Sequence, residues 1–143
     1  MPGRAAQLSL VGLLALTGCA STVRVEPVAT TESCTALIAA LPARLEGQDR
    51  RSVEPQMSNA AAWGDPPIVV RCGVQTPATL RADSQLFTIN GTDWFVEELT
   101  AGARFTTVGR SANVEVTVPD AYAPEANIPT ELSGLVSARI PPA

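Results

Sequence analysis

Histidine and lysine are both missing from this chain, and all 10 of its basic residues are arginines. Without imidazole there is no Ser-His-Asp or Cys-His machinery and no histidine ligand for a metal. Without a lysine amine there is no Schiff base, no Ser-Lys dyad and no phosphate-loop lysine. Most familiar hydrolase and transferase mechanisms are closed, and the residues point to no metal or cofactor. Charge of either sign is sparse, at 17% of 143 residues, with a formal net charge of −4. An acidic chain with scattered arginines is a poor partner for a polyphosphate backbone, so nucleic-acid binding is not expected. The length allows one modest hydrophobic core and leaves no room for a second domain.

The N-terminus reads as an address. Arg4 and the free amino group precede an apolar run from Leu8 to Leu16. At 1.5 Å per residue this run is too short for a bilayer core of about 30 Å, which argues for a cleaved signal rather than a membrane span. Leu16-Thr17-Gly18-Cys19 resembles the bacterial lipobox. In such signals the cysteine sulfur takes diacylglycerol, the chain is cut before it, and the new amino terminus is acylated with a fatty acid of the palmitate kind. One acyl chain holds a membrane marginally, whereas two or three anchor it. The expected division is a signal peptide over 1–18, a lipidated tether over 19–30 and one folded domain over 31–143. A flexible tether of that length would hold the domain roughly 20 Å from the bilayer. The expected location is the outer face of the cell membrane, lipid-anchored through Cys19.

Two cysteines then remain, Cys34 and Cys72. Thr31 is placed to cap a helix, Glu32 suits its positive end, and Cys34, Leu37, Ile38 and Leu41 fall on one helical stripe. Pro42 ends that helix. In Ile68 to Cys72 alternate side chains share a face, so Ile68, Val70 and Cys72 point one way and Val69 and Arg71 the other. An even pair of cysteines in an oxidising compartment is most simply a disulfide between helix and strand. A redox-active pair and a two-thiolate metal site are the alternatives. Asp65-Pro66-Pro67 sets extended backbone ahead of the strand.

Trp63-Gly64-Asp65-Pro66-Pro67-Ile68-Val69-Val70-Arg71-Cys72-Gly73-Val74 resembles the signature of an actinobacterial lipoprotein family, that of the domain of unknown function 3515. Ala39-Ala40-Leu41-Pro42, Arg50-Arg51, Thr107-Val108-Gly109-Arg110 and Val114 to Pro119 extend the likeness over most of the chain after the tether. Asn113 stands where that likeness implies an aromatic. The resemblance implies a location and an architecture, and no activity.

Asn90-Gly91 between Leu86–Ile89 and Thr92–Val96 is a two-residue hairpin signal, because Asn-Gly accepts the positive φ angles of a type I′ turn. The register puts Ile89 opposite Thr92, Thr88 opposite Asp93 and Phe87 opposite Trp94. Phe105–Val108 and the alternating Val114–Val118 are further strands. Ile128, Leu132, Leu135 and Val136 recur at helical spacing, and Pro141 and Pro142 close that helix. The expected fold is α+β: an antiparallel sheet of about five strands, an N-terminal helix stapled to it by the disulfide, and a short C-terminal helix.

The functional expectation is a membrane-tethered, non-catalytic binding or assembly module of the cell envelope, with a protein or glycan partner. Trp63, Asp65, Arg71, Trp94 and Arg110 are the candidate contacts. Trp63 is either a core-edge aromatic or a stacking platform, and Arg71 either pairs with a carboxylate such as Asp65 or clamps an anion. The alternative is a small hydrolase of envelope polysaccharide working through paired carboxylates, drawn from Asp65, Asp93, Glu97 and Glu98. Adjacent Glu97 and Glu98 would point to opposite faces of a strand and so do not serve together.

Overall fold

The computed structural model describes Met1 and residues 21–143; the lipobox and Cys19 lie outside the described residues. The chain opens with β1 (Val23–Arg24), α1 (Glu32–Ala40), β2 (Arg44–Leu45), β3 (Gln48–Arg51) and β4 (Val53–Glu54). Next come β5 (Ala60–Trp63), β6 (Ile68–Val74), β7 (Phe87–Ile89) and β8 (Thr92–Leu99). The last third holds β9 (Gly102–Val108), β10 (Asn113–Pro119), a 3-10 turn at Asp120–Tyr122, and α2 (Asn127–Arg139).

Eight strands form one sheet in the order β2-β3-β5-β6-β10-β9-β8-β7, while β1 and β4 pair in parallel as a separate ribbon. Every neighbouring pair in the large sheet is antiparallel. The fold is α+β as the sequence implies, but the sheet has eight strands and not about five. The additional strands are the short β2 and β3, and β5, whose Ala60-Ala61-Ala62 carries no β-branched signal. Small side chains are needed at Ala60 and Ala62, because the N-terminal segment lies directly upon them, while Ala61 faces the main core.

The inner face carries Trp63, Ile68, Val70, Cys72, Val114, Val116, Val118, Phe105 and Trp94, all buried in one core with both helices. Thr31 caps α1 by accepting the Cys34 N–H at 3.2 Å, and Pro42 follows its C-terminal end as expected. Cys34 and Cys72 form the disulfide, with Cα atoms 5.3 Å apart. It closes a separation of 38 residues, which on loop entropy is worth about 4 kcal/mol. Over α2, Ser133 accepts the Trp94 indole N–H at 2.8 Å and offers its carbonyl to the Thr92 hydroxyl at 3.2 Å. Asn90 and Gly91 take φ angles of 49° and 76°, and the β7–β8 register is the one the turn dictates.

The outer face meets a strap. Residues 23–30 had the composition of a free tether, yet they are docked: Val23 and Val25 are buried in a second cluster with Ala60 and Ala62. Val23 and Val25 donate backbone N–H groups to Ser52 and Glu54, and Asn59 donates its amide to the carbonyls of Val28 and Ala29. Gly73 has φ of +100°, and a Cβ there would sit 1.8 Å from the Ala29 carbonyl oxygen. The strap passes that closely because position 73 has no side chain. The alternation Val23-Arg24-Val25 is too short to announce a strand, and its partner β4 is 30 residues away in sequence.

Candidate functional site

Strand pleating puts Phe87 and Ile89 of β7, Val96 and Glu98 of β8, and Ala103 and Phe105 of β9 on the inner face, in line with Trp94. The helices cover Trp94, and the cover thins toward the far ends of these strands: Phe87 and Glu98 are exposed and Ile89 and Val96 partly so, while Ala103 and Phe105 stay buried. The result is a cleft of about 800 Å³ whose floor includes Phe87, Ile89, Val96, Ala103 and Phe105. Pro124, Glu125 and Ala126, which lead into α2, form its opposite wall. Volume and apolar floor fall within the usual range for ligand sites. Phe87 is 49% exposed, although it sits directly across from Trp94, which is 0% exposed. Phe87 lies on the edge strand of the sheet, at the end away from the Asn90–Gly91 turn.

Three carboxylates, Glu98, Asp120 and Glu125, border the cleft, and among the described residues no arginine lines it. Among the described residues none of the three is ion-paired. A smaller recess of about 400 Å³ between β3 and β5 includes Arg50, Arg51 and Met57, but its guanidinium groups are committed to carbonyl oxygens.

The candidate contacts of the sequence occupy different surroundings. Trp63 is 0% exposed, donates its indole N–H to the Pro42 carbonyl at 3.0 Å and lies under the Arg50 guanidinium, 5.5 Å from the ring centre. Neither Trp63 nor Trp94 turns a ring face to solvent. Arg71 finds its carboxylate across the sheet: it donates to Glu115 at 2.7 and 3.0 Å, and not to Asp65. Asp65 is in the turn before β6, 3.9 Å from Arg51 and largely exposed, whereas Glu115 is the direct cross-strand neighbour of Arg71. Arg110 donates to the carbonyls of Ile140 and Gly91, tying the hairpin turn to the end of α2.

The carboxylates considered for hydrolysis have separate partners too. Asp93 accepts from the Thr88 hydroxyl at 2.5 Å. Glu97, on the outer face, accepts from Thr79 at 2.7 Å and lies 3.8 Å from Arg104. Glu98, on the inner face, borders the cleft, as the alternation requires. Among the described residues no three His, Cys, Asp or Glu side chains gather to hold a metal ion.

The family's sequence model, described as proteins of unknown function, matches residues 10–143. The chain belongs to the DUF3515 family. For this DUF3515 chain no match was found among curated proteins or solved structures. The likeness read from Trp63–Val74 is thus supported at the level of the family. Its quoted segments mark the packed middle of the fold, and the cleft lies elsewhere, on residues from β7, β8, β9 and the lead-in to α2. In sequence, the available signal was Phe87, an aromatic on a short edge strand, together with the inward phase of Glu98.

Proposed function

We propose that this protein is a lipid-anchored, extracytoplasmic binding module, held on the outer face of the cell membrane through Cys19, that takes up a component of the cell envelope without catalysing a reaction. The observation that carries the binding reading is the cleft, an apolar face only partly covered by the helices and bordered by carboxylates that have no ion-pair partner among the described residues. Location is supported by the lipobox-like Leu16–Cys19 and by a disulfide of the kind that persists in oxidising compartments. No described helix is long and apolar enough to cross a membrane, so attachment would rest on the lipid.

The docked strap changes how such an anchor would act. Arg51 donates to the carbonyl and hydroxyl oxygens of Ser21 at 2.5 and 2.6 Å. Only Ala20 separates Ser21 from Cys19, and two residues of extended chain span about 7 Å. The folded domain would begin close to the headgroups, not some 20 Å out. The cleft would lie at the far side of the sheet, six strand steps from β3, or roughly 29 Å at about 4.8 Å per step. Cell fractionation of the full chain and of Cys19→Ala tests the anchor. The native protein is expected in membranes and the variant, still oxidised at Cys34–Cys72, in the soluble extracytoplasmic fraction. Retention of the variant in membranes would overturn the anchor.

A further inference from the structure

The floor of the cleft continues to the edge of the sheet, because among the described residues β7 has a strand neighbour on one side only. In a hairpin with a two-residue turn, the pair flanking the turn exchanges both hydrogen bonds and the next pair exchanges none. Here Ile89–Thr92 flanks the turn and Thr88–Asp93 comes next. The N–H and C=O of Thr88 therefore point away from β8, and among the described residues neither joins another backbone hydrogen bond. A free backbone donor and acceptor, an exposed phenylalanine on the same strand and a border of unpaired carboxylates meet in one place. We propose that the β7 edge and the cleft together bind an extended peptide segment of a partner protein, added as a further antiparallel strand, with an aliphatic side chain and an arginine or lysine at alternate positions facing the cleft.

Each part of that occupant answers a feature of the site. Strand addition satisfies Thr88 with two backbone hydrogen bonds and takes its specificity from alternate side chains. The aliphatic residue covers Phe87 and Ile89. The cation, two positions along on the same face, is directed toward Glu98, Asp120 and Glu125. Among the described residues no arginine lines the cleft, which makes the site selective by sign, since an acidic segment would meet like charge. The shortness of β7, three residues, limits the edge to one strand-adding register.

This inference rests on the reading of the cleft as the binding site, and the test separates the two. The full chain, in detergent micelles and labelled with nitrogen-15, is titrated with the capped heptapeptide Thr-Leu-Thr-Arg-Thr-Leu-Thr. Parallel titrations use its counterpart with glutamate for arginine, its counterpart N-methylated on the central three residues, and dodecylamine as a cationic amphiphile that is not a peptide. The arginine peptide is expected to shift the amides of Thr88, Val96 and Gly102, with at least tenfold weaker binding for the glutamate and N-methylated versions. Glu98→Gln combined with Glu125→Gln is expected to weaken it about tenfold. Thr88→Pro removes the outward N–H, which the β7–β8 ladder does not use, and is expected to do the same while leaving the thermal midpoint in place. Phe87→Ala serves as the second variant if Thr88→Pro fails to fold. Equal binding of arginine and glutamate peptides, or undiminished binding after N-methylation, overturns the inference. If dodecylamine shifts the cleft and no peptide does, the cleft stands and the peptide falls. If none of the probes shifts it, both fall. Self-association of the free chain that the peptide does not compete away would identify a second copy as the occupant and overturn the proposal.

Discussion

The two sides of the sheet use charge in opposite ways. From β3 to β6 the arginines act as fasteners, each reaching backbone oxygens of a neighbouring segment. Arg50 holds the Ile38 and Leu41 carbonyls at the end of α1, Arg51 holds Gly64 and Ser21, and Arg71 holds Glu26 of the strap as well as Glu115. Around the cleft of β7 to β9 the pattern reverses: Phe87 is exposed, Ile89 and Val96 are partly so, and among the described residues the bordering carboxylates have no ion-pair partner. A guanidinium presents several donors in a fixed fork, which a lysine amine cannot reproduce. In a chain with arginine as its sole cation, an arginine is therefore weak evidence for a ligand site, and unanswered acids beside an apolar floor are better evidence.

The sharpest way to break this comparison is to weaken the fastened side and ask whether the other responds. Cys34→Ala is expected to cost about 4 kcal/mol, lowering the thermal midpoint by on the order of 15 °C, as read by denaturation under oxidising conditions. The same variant measured with reductant present should match the reduced native protein. A loss under about 1 kcal/mol would mean that the staple is not what holds α1 to β6.

Gly73→Ala comes next. It places a methyl group where the Ala29 carbonyl lies and forces φ of +100° on a residue with a Cβ, for an expected cost of about 3 kcal/mol. The loss should appear as strap release, so tryptic cleavage after Arg24 is expected to accelerate on the order of tenfold. The β7–β8 amides should keep their shifts. If the strap stays protected, its docking does not depend on the close approach at position 73.

The strap also shows where a sequence reading stops. The first helix, its threonine cap, the Cys34–Cys72 pair and the β7–β8 register were all legible, because each is fixed by local spacing or by a turn that admits one geometry. Alanines 60 to 62 were not legible as a strand. The small size of Ala60 and Ala62 matters only once Val23 and Val25 are laid over them, and that contact spans some 35 residues of chain. The cleft was hidden for the same reason. Glu98, Asp120 and Glu125 are separated in sequence and come together through the β8–β9–β10 meander. Arg71 was readable as a residue that pairs with a carboxylate, but its partner depended on which strand lay beside β6. Once β10 is that strand, Glu115 is its direct neighbour.

Arg50→Lys sharpens the account of the arginines. Arg50 spans two carbonyls at the end of α1, at 3.1 and 3.4 Å, while its guanidinium covers Trp63. Lysine keeps the charge and loses the fork, so the expected cost is about 1 to 2 kcal/mol. Denaturant titration followed by Trp63 and Trp94 fluorescence checks it. A cost near zero would show that charge near the helix terminus, and not the forked geometry, is what that position requires.

The smallest expected effect is the most informative for function. Glu98→Gln exchanges a carboxylate that has no ion pair among the described residues for a neutral group of the same shape. Its neighbour Glu97 retains Thr79 and Arg104, so the outer face is undisturbed. Stability is expected to change by no more than about 0.5 kcal/mol. Glu115→Gln on the outer face, made beside it, removes charge from an acid that is 8% exposed and bonded to Arg71, and is expected to cost about 2 kcal/mol. The contrast is measured by denaturation of the two variants under one set of conditions. Equal costs would mean that Glu98 is held by the fold after all, and the cleft would lose its claim to be the side of the sheet left free for a partner.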